Sequence, residues 1–400
     1  MAHVTNKNIA PGTWLILNQS QSAVFQNMLQ LVAQEIGPCT IHTGSPSVPT
    51  SSSIVIVKAP KYRRSGVAAR LMSWATFLAY CAHRTLFIPR PSFLLVTTNP
   101  PLLLILALFL GRLRGWKYGV LVWDIYPDHL VVAGILRKTN PIVLIWSSLN
   151  RMALERSELV VTVSDSMAKT ITDQTPRLKA SVVVIPSCCD TSEIYPIERS
   201  QNPFAEKHRI SDRRVVMYSG NMGATHGLES LVDAAVILRA RKDLIFVLIG
   251  DGLGRQSIED KIRELALTNI LLLPMQPENT LLDSLTIADI AVVIQSPKTE
   301  NLSIPSKSYS HLSAGSAILA LTDIQSDLGR MVNDEGVGLV CNLGAPIDIA
   351  TAINQLLEDD CSLKAMKSRS RALAVTRFDI RMIGKEWVRQ LRPLIALPLG

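Results

Sequence analysis

The feature that most constrains this 400-residue chain is a short apolar run that recurs along its length, each copy closed by glycine, proline or small polar residues. In the first half the runs are WLILN (Trp14 to Asn18), SIVIVK (Ser53 to Lys58), FLLVTT (Phe93 to Thr98), YGVLVW (Tyr118 to Trp123), LVVTVS (Leu159 to Ser164) and SVVVIPS (Ser181 to Ser187). They are continuous rather than alternating, the pattern of strands buried on both faces in a parallel sheet covered by helices. Between them, SAVFQNMLQLVAQEIG and GVAARLMSWATFLAYCAH carry helical spacing. Strand and helix in alternation place the chain in the α/β class.

The alternation restarts in the second half with VVMYSG (Val215 to Gly220), LIFVLIGDG (Leu244 to Gly252), NILLLP (Asn269 to Pro274), IAVVIQ (Ile290 to Gln295), AILALT (Ala317 to Thr322) and VGLVCN (Val337 to Asn342). Helices are expected from Leu228, Ser257, Leu281, Lys307 and Ile347. A chain of this length exceeds one hydrophobic core. The polar stretch Asp190 to Arg214, broken by prolines and without periodicity, reads as the join. The expected division is a Rossmann-like N-terminal domain over 1–195, a linker over 196–214, a Rossmann-like C-terminal domain over 215–375 and a terminal segment over 376–400 whose RFDIRMIGKEWVRQLRPLI has helical spacing. Open sheets of this kind bind ligands beyond the carboxyl ends of their strands, so the loops there are the place to look for chemistry.

The net charge of +8 is unevenly spread: residues 1–200 hold 19 Lys or Arg against 10 Asp or Glu, and residues 201–400 hold 22 against 23. From Lys58 to Lys138 the balance is 12 basic to 2 acidic residues, interleaved with apolar runs. That composition suits an anionic membrane surface, where each nearby cation contributes about 1 kcal/mol; the alternative is a solvated basic face with no partner. Nucleic acid is not expected, because no recognition motif or aromatic-laced basic stripe accompanies the charge. The longest apolar run, PPLLLILALFLG, is about half of the roughly 20 residues a spanning helix needs. The first residues lack a secretory pattern, and Cys39, Cys81, Cys188, Cys189, Cys341 and Cys361 show no metal-ligand spacing. A cytoplasmic protein, peripheral at the inner face of the plasma membrane, is the expectation.

Several strand-end loops carry candidate chemistry. YSGNMGATHGLESL follows a strand and opens a helix; Gly220, Gly223 and Gly227 permit close backbone approach and positive φ, and a helix N-terminus offers free N–H groups to a phosphate. Tight turns need glycine for steric reasons as well, so this motif is ambiguous alone. GDGLGRQS repeats the device, with Asp251 placed either to accept a hydroxyl or to cap the next helix. Met275 and Gln276 lie between two prolines, as partners for a flat ring or as an ordinary loop. In SIPSKSYSHLSAGSAILAL, Lys307 falls in a first helical turn, where a cation opposes the helix dipole unless an anion shares the place. WDIYPDH ends a strand: Asp124 or Asp128 is placed to meet a sugar or orient a hydroxyl, and His129 to titrate near neutrality, unless Asp124 caps a turn and His129 lies on the helix surface.

The ordered set YSGNMGATHGLESLVDAA, FVLIGDG, NILLLP, LLDSLTIADIAVVI and IPSKSYSHLSAGSAILA resembles retaining glycosyltransferases of the GT-B fold, family 4, closest to the branch that builds exopolysaccharide and lipid-linked glycans. The first half resembles the same branch more loosely in TTNPPLLLILALFLGRLRGWKYGVLVWDIYPDHLVVAGIL, ERSELVVTVSDSM and VVVIPSCCD. The resemblance implies two Rossmann-like domains facing across a cleft, the last helix packing back toward the first domain, and no cofactor or bound metal. It implies a UDP-sugar or GDP-sugar donor, a lipid-linked or polysaccharide acceptor and retention of anomeric configuration. By position, Gly220, Asn221 and Gly223 would line the diphosphate and Lys307 with Ser306 would bind its oxygens, with His226 and Ser310 as further donor-binding positions. Asp251 would sit at the donor, Met275 and Gln276 would meet the base, and Glu300 would lie near the donor sugar or ribose. Asp124, Asp128 and Glu300 are the candidate catalytic carboxylates. Three places depart from the pattern: Asn221 and His226 stand where many members carry cations, Ser310 where the second of two glutamates is common, and Trp123 where a histidine or arginine often precedes the aspartate. A nucleotide-sugar epimerase and a weakly catalytic nucleotide-sugar-binding scaffold are the alternative functions.

Overall fold

The computed structural model describes residues 13–20, 22–46, 50–63, 66–223 and 227–395. The chain forms two compact units, one of Met1–Pro186 with Ile380–Gly400 and one of Ser187–Asp379.

The first unit holds a seven-stranded sheet of β1 (Trp14–Leu17), β2 (Cys39–Thr43), β3 (Ile54–Lys58), β4 (Leu94–Thr97), β5 (Tyr118–Val122), β6 (Leu159–Thr162) and β7 (Val182–Val184), in the order β3-β2-β1-β4-β5-β6-β7. All its pairings are parallel. Helices α1 (Ala23–Ile36), α2 (Val67–Phe87), α3 (Leu103–Arg114), α4 (Asp128–Val132) and α5 (Pro141–Glu155) supply crossovers. Local chemistry sets their starts: Ser22 Oγ accepts from Phe25 N–H at α1, and Asn140 accepts from Ile142 N–H at α5, with Pro141 in the first turn. Strand β2 is not among the expected runs. Its sequence CTIHT is polar by composition, yet Thr40, His42 and Thr43 are buried because the strand lies between β1 and β3.

The second unit holds a six-stranded sheet of β8 (Arg214–Ser219), β9 (Leu244–Ile249), β10 (Ile270–Leu273), β11 (Ile290–Ile294), β12 (Ala317–Leu321) and β13 (Gly338–Cys341), in the order β10-β9-β8-β11-β12-β13. It too is parallel throughout. Val216, Tyr218, Phe246 and Val292 pack on one face, and Val215, Met217 and Ile245 on the other. The strands are thus apolar on both sides, as their continuous runs require. The order reverses between β8 and β11, so the loops after these two strands open side by side, where such sheets receive ligands.

The boundaries differ from those expected. Residues 196–214 are not a linker: they carry a 3-10 turn, Arg199–Gln201, and a helix, Pro203–Lys207, both inside the second unit. Asn202 caps that helix by accepting from Phe204 and Ala205 N–H at 2.9 and 3.1 Å. Ile194, Phe204, Ala205 and Ile210 pack beneath Val215 and Met217, and Arg199 pairs with buried Asp289 at 2.7 Å. A few apolar anchors scattered through polar sequence lack periodicity but still fill a core. At the other end, the helix Ile380–Ile395 belongs to the first unit, with Gly384 against Met28 and Val32 of α1.

Candidate functional site

The turn after β8 and the turn after β9 are pressed together. Gly220 N–H donates to Ile249 O at 2.9 Å, Met222 N–H to Asp251 O at 2.8 Å, and Gly254 N–H to Met222 O at 2.8 Å. A Cβ on Gly250, whose φ is +157°, would stand 1.9 Å from Gly220 O; one on Gly252 would stand 2.5 Å from Met222 O and 2.8 Å from Asn221 Oδ1. The glycines of SGNMG and GDG are therefore there for backbone contact. Gly223 and exposed Asn221 complete the first turn, and His226 lies outside the described residues. Asp251 is exposed, and its Oδ1 accepts from Gly252 N–H at 2.8 Å. It does not cap the helix Arg255–Glu264, whose N-cap is Gly254.

Lys307 is the first residue of the helix Lys307–Ser313, and the structure brings it to this turn. Its Nζ lies 3.7 Å from the centroid of the Tyr218 ring, and a Cβ on Gly220 would meet Lys307 Cδ and Nζ at 3.4 Å. Tyr218 is fully buried at the end of β8 and donates its hydroxyl to Asn221 O at 2.6 Å, so one side chain both shapes the turn and seats the ammonium. Burial pulls the Lys307 pKa down to about 7, while the negative face of the ring acts in the opposite sense. Lys307 as a residue is half-buried. His311, one turn on, is fully buried; burial first, then the Lys307 charge, push its pKa down to about 3, so it adds no second cation. What results is an ammonium over a glycine turn at the carboxyl ends of the strands, with the Arg255 guanidinium donating to Gly250 O and Leu273 O beside it, an arrangement suited to phosphate oxygens.

The remaining donor candidates surround this center less closely. Ser306 is exposed just ahead of Lys307, and Ser310 is half-buried one turn later. Met275 is 53% exposed on the loop after β10, where Gln276 Nε2 donates to Pro274 O at 2.8 Å. Glu300, in the loop after β11, uses Oε1 to accept from Thr322 Oγ1 at 2.8 Å and from Asp323 N–H at 3.1 Å. It thereby ties that loop to the end of β12. Among the described residues no group of three or more His, Cys, Asp and Glu is placed to hold a metal ion.

In the first unit, the loop after β5 is held by Thr98, whose Oγ1 accepts from Trp123 and Asp124 N–H at 3.0 and 3.3 Å. Asp124 faces His129 Nε2 at 3.4 Å, and both are part-exposed. Asp128 opens α4 and is half-buried. His129 thus lies part-exposed on the surface of α4, as one alternative had it, and is paired there with Asp124. Below them Tyr126 lies parallel to Trp146 of α5 at 6.1 Å and edge-on to Trp74 of α2 at 6.0 Å, and its carbonyl accepts from Asn150 Nδ2 at 2.9 Å. Sequence reading passed over Tyr218, Thr98 and this aromatic stack. An aromatic inside a strand run or a helix reads as core, and the only advance signal for Tyr218 was its place two residues before the first glycine of the turn.

Residues 200–373 match the family of glycosyl transferases group 1. The match begins before β8 and ends beyond β13, so it contains the whole glycine turn and Lys307. The chain is 27% identical over 270 residues to the probable glycosyltransferase WbjE of Pseudomonas aeruginosa, covering 66% of each. It is 23% identical over 226 residues to the putative colanic acid biosynthesis glycosyl transferase WcaI of Escherichia coli K12, covering 56% of this chain and 55% of that one. These matches span somewhat less than two thirds and about half of the two relatives. In fold, the chain resembles Anabaena HepE, solved in complex with UDP: TM-score 0.68 at 13% identity, covering 95% of this chain and 100% of the other. The fold of the chain is GT-B, as expected from the sequence.

Proposed function

We propose that this protein transfers a sugar from a nucleotide-diphosphate donor, a UDP-sugar or GDP-sugar, to a hydroxyl of a lipid-linked or polysaccharide acceptor, with retention of configuration. The observation that carries the reading is Lys307 Nζ seated on Tyr218 beside Gly220, in a family domain of glycosyltransferases. Departure of the nucleoside diphosphate concentrates negative charge on phosphate oxygens. Preorganised donors aimed at that charge lower the barrier. Here that donor is the Lys307 ammonium, which meets the charge without a metal ion. The base is met by the loop of Met275 and Gln276. Asp124, paired with His129, is the group placed to orient an acceptor hydroxyl, and Asp128 lies one helical position before His129. Colanic acid biosynthesis in the name of WcaI and HepE's UDP support the acceptor and donor classes. The test is a donor screen, UDP-sugars against GDP-sugars, by thermal shift, followed by product analysis. Acceptor-dependent nucleotide release with a new glycoside of the donor's configuration is expected. An altered sugar nucleotide formed without acceptor would replace the reading with epimerisation, and nucleotide binding with no transfer across a broad acceptor panel would leave a binding scaffold.

A further inference from the structure

Helix α2 is apolar on both sides. Its inner side buries Trp74, Phe77 and Cys81, as a helix covering a sheet should. Its outer side, which an ordinary surface helix fills with charge, exposes Leu71, Met72, Ala75, Ala79, Leu86 and Phe87. The other exposed positions between them are a threonine and a histidine. Leu71, Met72, Leu86 and Phe87 are 53, 65, 63 and 76% exposed, and exposed Ala75, Ala79 and His83 link the two pairs in steps of three and four residues along one stripe. At 1.5 Å per residue the 21-residue helix makes that stripe roughly 30 Å long. Helix α3 extends it: Arg114 donates to Thr85 O and to Ile88 O, fastening the end of α3 to the end of α2, where Leu113 is 80% exposed and Phe109, one turn earlier, 51%. Exposed Lys61 and Arg63 precede α2 in the chain, exposed Arg90 follows it, and exposed Arg112 and Lys117 lie on α3 and just after it. Residues 58–123 hold ten Lys or Arg and no Asp or Glu.

We infer that this face of α2 and α3 docks in the interface of an anionic lipid bilayer, with α2 lying in the membrane plane. The inference rests on the lipid-linked acceptor in the proposed function and gives it a surface. Among the described residues no helix is long and apolar enough to cross a membrane, and an apolar stripe along a helix with cations beside it is the arrangement that settles at the boundary of headgroups and acyl chains. A second copy of this chain is the poorer occupant, because two copies of this basic segment would face each other without carboxylates between them. Docking there also serves the reaction. Trp74 on the inner side of α2 touches Tyr126, two residues after Asp124, so the helix that meets lipid also supports the loop that receives the acceptor.

The test is partitioning of the full chain onto vesicles of phosphatidylcholine with 30% phosphatidylglycerol, against pure phosphatidylcholine, with no sugar nucleotide present. Binding to the anionic vesicles, reduced by high salt, is expected. The variant Leu71→Gln/Met72→Gln/Leu86→Gln/Phe87→Gln, altered only at exposed positions, should keep its far-UV spectrum and UDP affinity and lose roughly tenfold or more in partitioning. Wild-type protein that ignores anionic vesicles, or a folded variant that partitions as well as wild type, overturns the inference. So does a dimer that the four substitutions dissociate while leaving lipid binding unchanged. UDP affinity, read separately, reports on the donor site, so failure at the membrane is distinguishable from failure of the proposed reaction.

Discussion

Replacing Lys307 with methionine removes the ammonium and keeps an unbranched chain to lie on the Tyr218 ring. A hydrogen bond to a charged group contributes about 1.5–3 kcal/mol, and a free ammonium 4 Å from a phosphate charge at the protein surface contributes at most about 4. A loss near 2 kcal/mol corresponds to a roughly 30-fold rise in Kd for UDP at pH 6. The pH dependence is the sharper reading. With a pKa of about 7 in the unliganded protein, Lys307 is charged below that pH and increasingly neutral above it. Because the diphosphate selects the charged form, Lys307 should cost affinity about tenfold per unit above pH 7. UDP's own phosphate titration affects both proteins alike, so the ratio of their Kd values isolates the lysine. Calorimetric titration from pH 6 to 9 should show that ratio falling from about 30 toward one. A ratio within threefold of unity at pH 6, or one independent of pH, would refute both the seat and the partially desolvated ammonium.

Four further outcomes follow from the geometry. Folding lowers the Lys307 pKa from 10.5, so the cost of housing its charge is fully present below pH 7 and fades as pH rises toward 10.5; Lys307→Met should raise unliganded stability by about 1–2 kcal/mol at pH 6, the half-burial of the residue discounting a larger figure, and by little at pH 10, as thermal melts will show. Gly250→Ala places a Cβ 1.9 Å from Gly220 O, so it should destabilise the second unit by more than about 2 kcal/mol or displace the turn enough to abolish UDP binding. Asp124→Asn should lower kcat tenfold or more with UDP affinity unchanged; a raised Kd with intact kcat would assign the loop to the donor instead. Thr322→Val removes one of two hydrogen bonds to Glu300 Oε1, a loss of about 1–2 kcal/mol, and turnover should fall more than stability if Glu300 has to be held at the donor.

Much of the fold was legible because both sheets are buried on two faces. Continuous runs such as FLLVTT and IAVVIQ have few other places to go, and each became a strand. The failures lie where burial comes from neighbours instead of composition. CTIHT becomes an interior strand only because β1 and β3 flank it; burial first, then the Arg84 charge, hold the His42 pKa down to about 4. The Asn202 segment folds through one capping asparagine and three scattered apolar anchors, too sparse for a period. At the site, glycine spacing revealed the two turns, since the close approach of Gly250 to Gly220 leaves no room for another residue. That Tyr218 would receive Lys307 was not legible, because the strand and helix carrying them lie almost ninety residues apart and only the sheet order β8-β11 makes them neighbours. Glu300 was singled out as a catalytic carboxylate, and what position alone left unseen is that one of its oxygens already serves Thr322 and Asp323.

The helix Ile380–Ile395 has a consequence for how the protein is made. Its Ile383, Trp387 and Leu391 are buried within the unit whose first strand begins at Trp14, with Gly384 against α1. On the ribosome, domains ordinarily finish in the order in which they emerge. Here the unit whose sheet precedes the other is completed after it: α1 waits, with Met28 and Val32 uncovered, until the codons for Ile380–Ile395 are read, while the segment 187–379 has already closed on itself through Cys189 N–H to Phe378 O at 2.9 Å and the Thr191 hydroxyl to Asp379 at 2.5 Å. A premature stop near residue 380 would therefore spare the inserted unit and leave the older one unfinished.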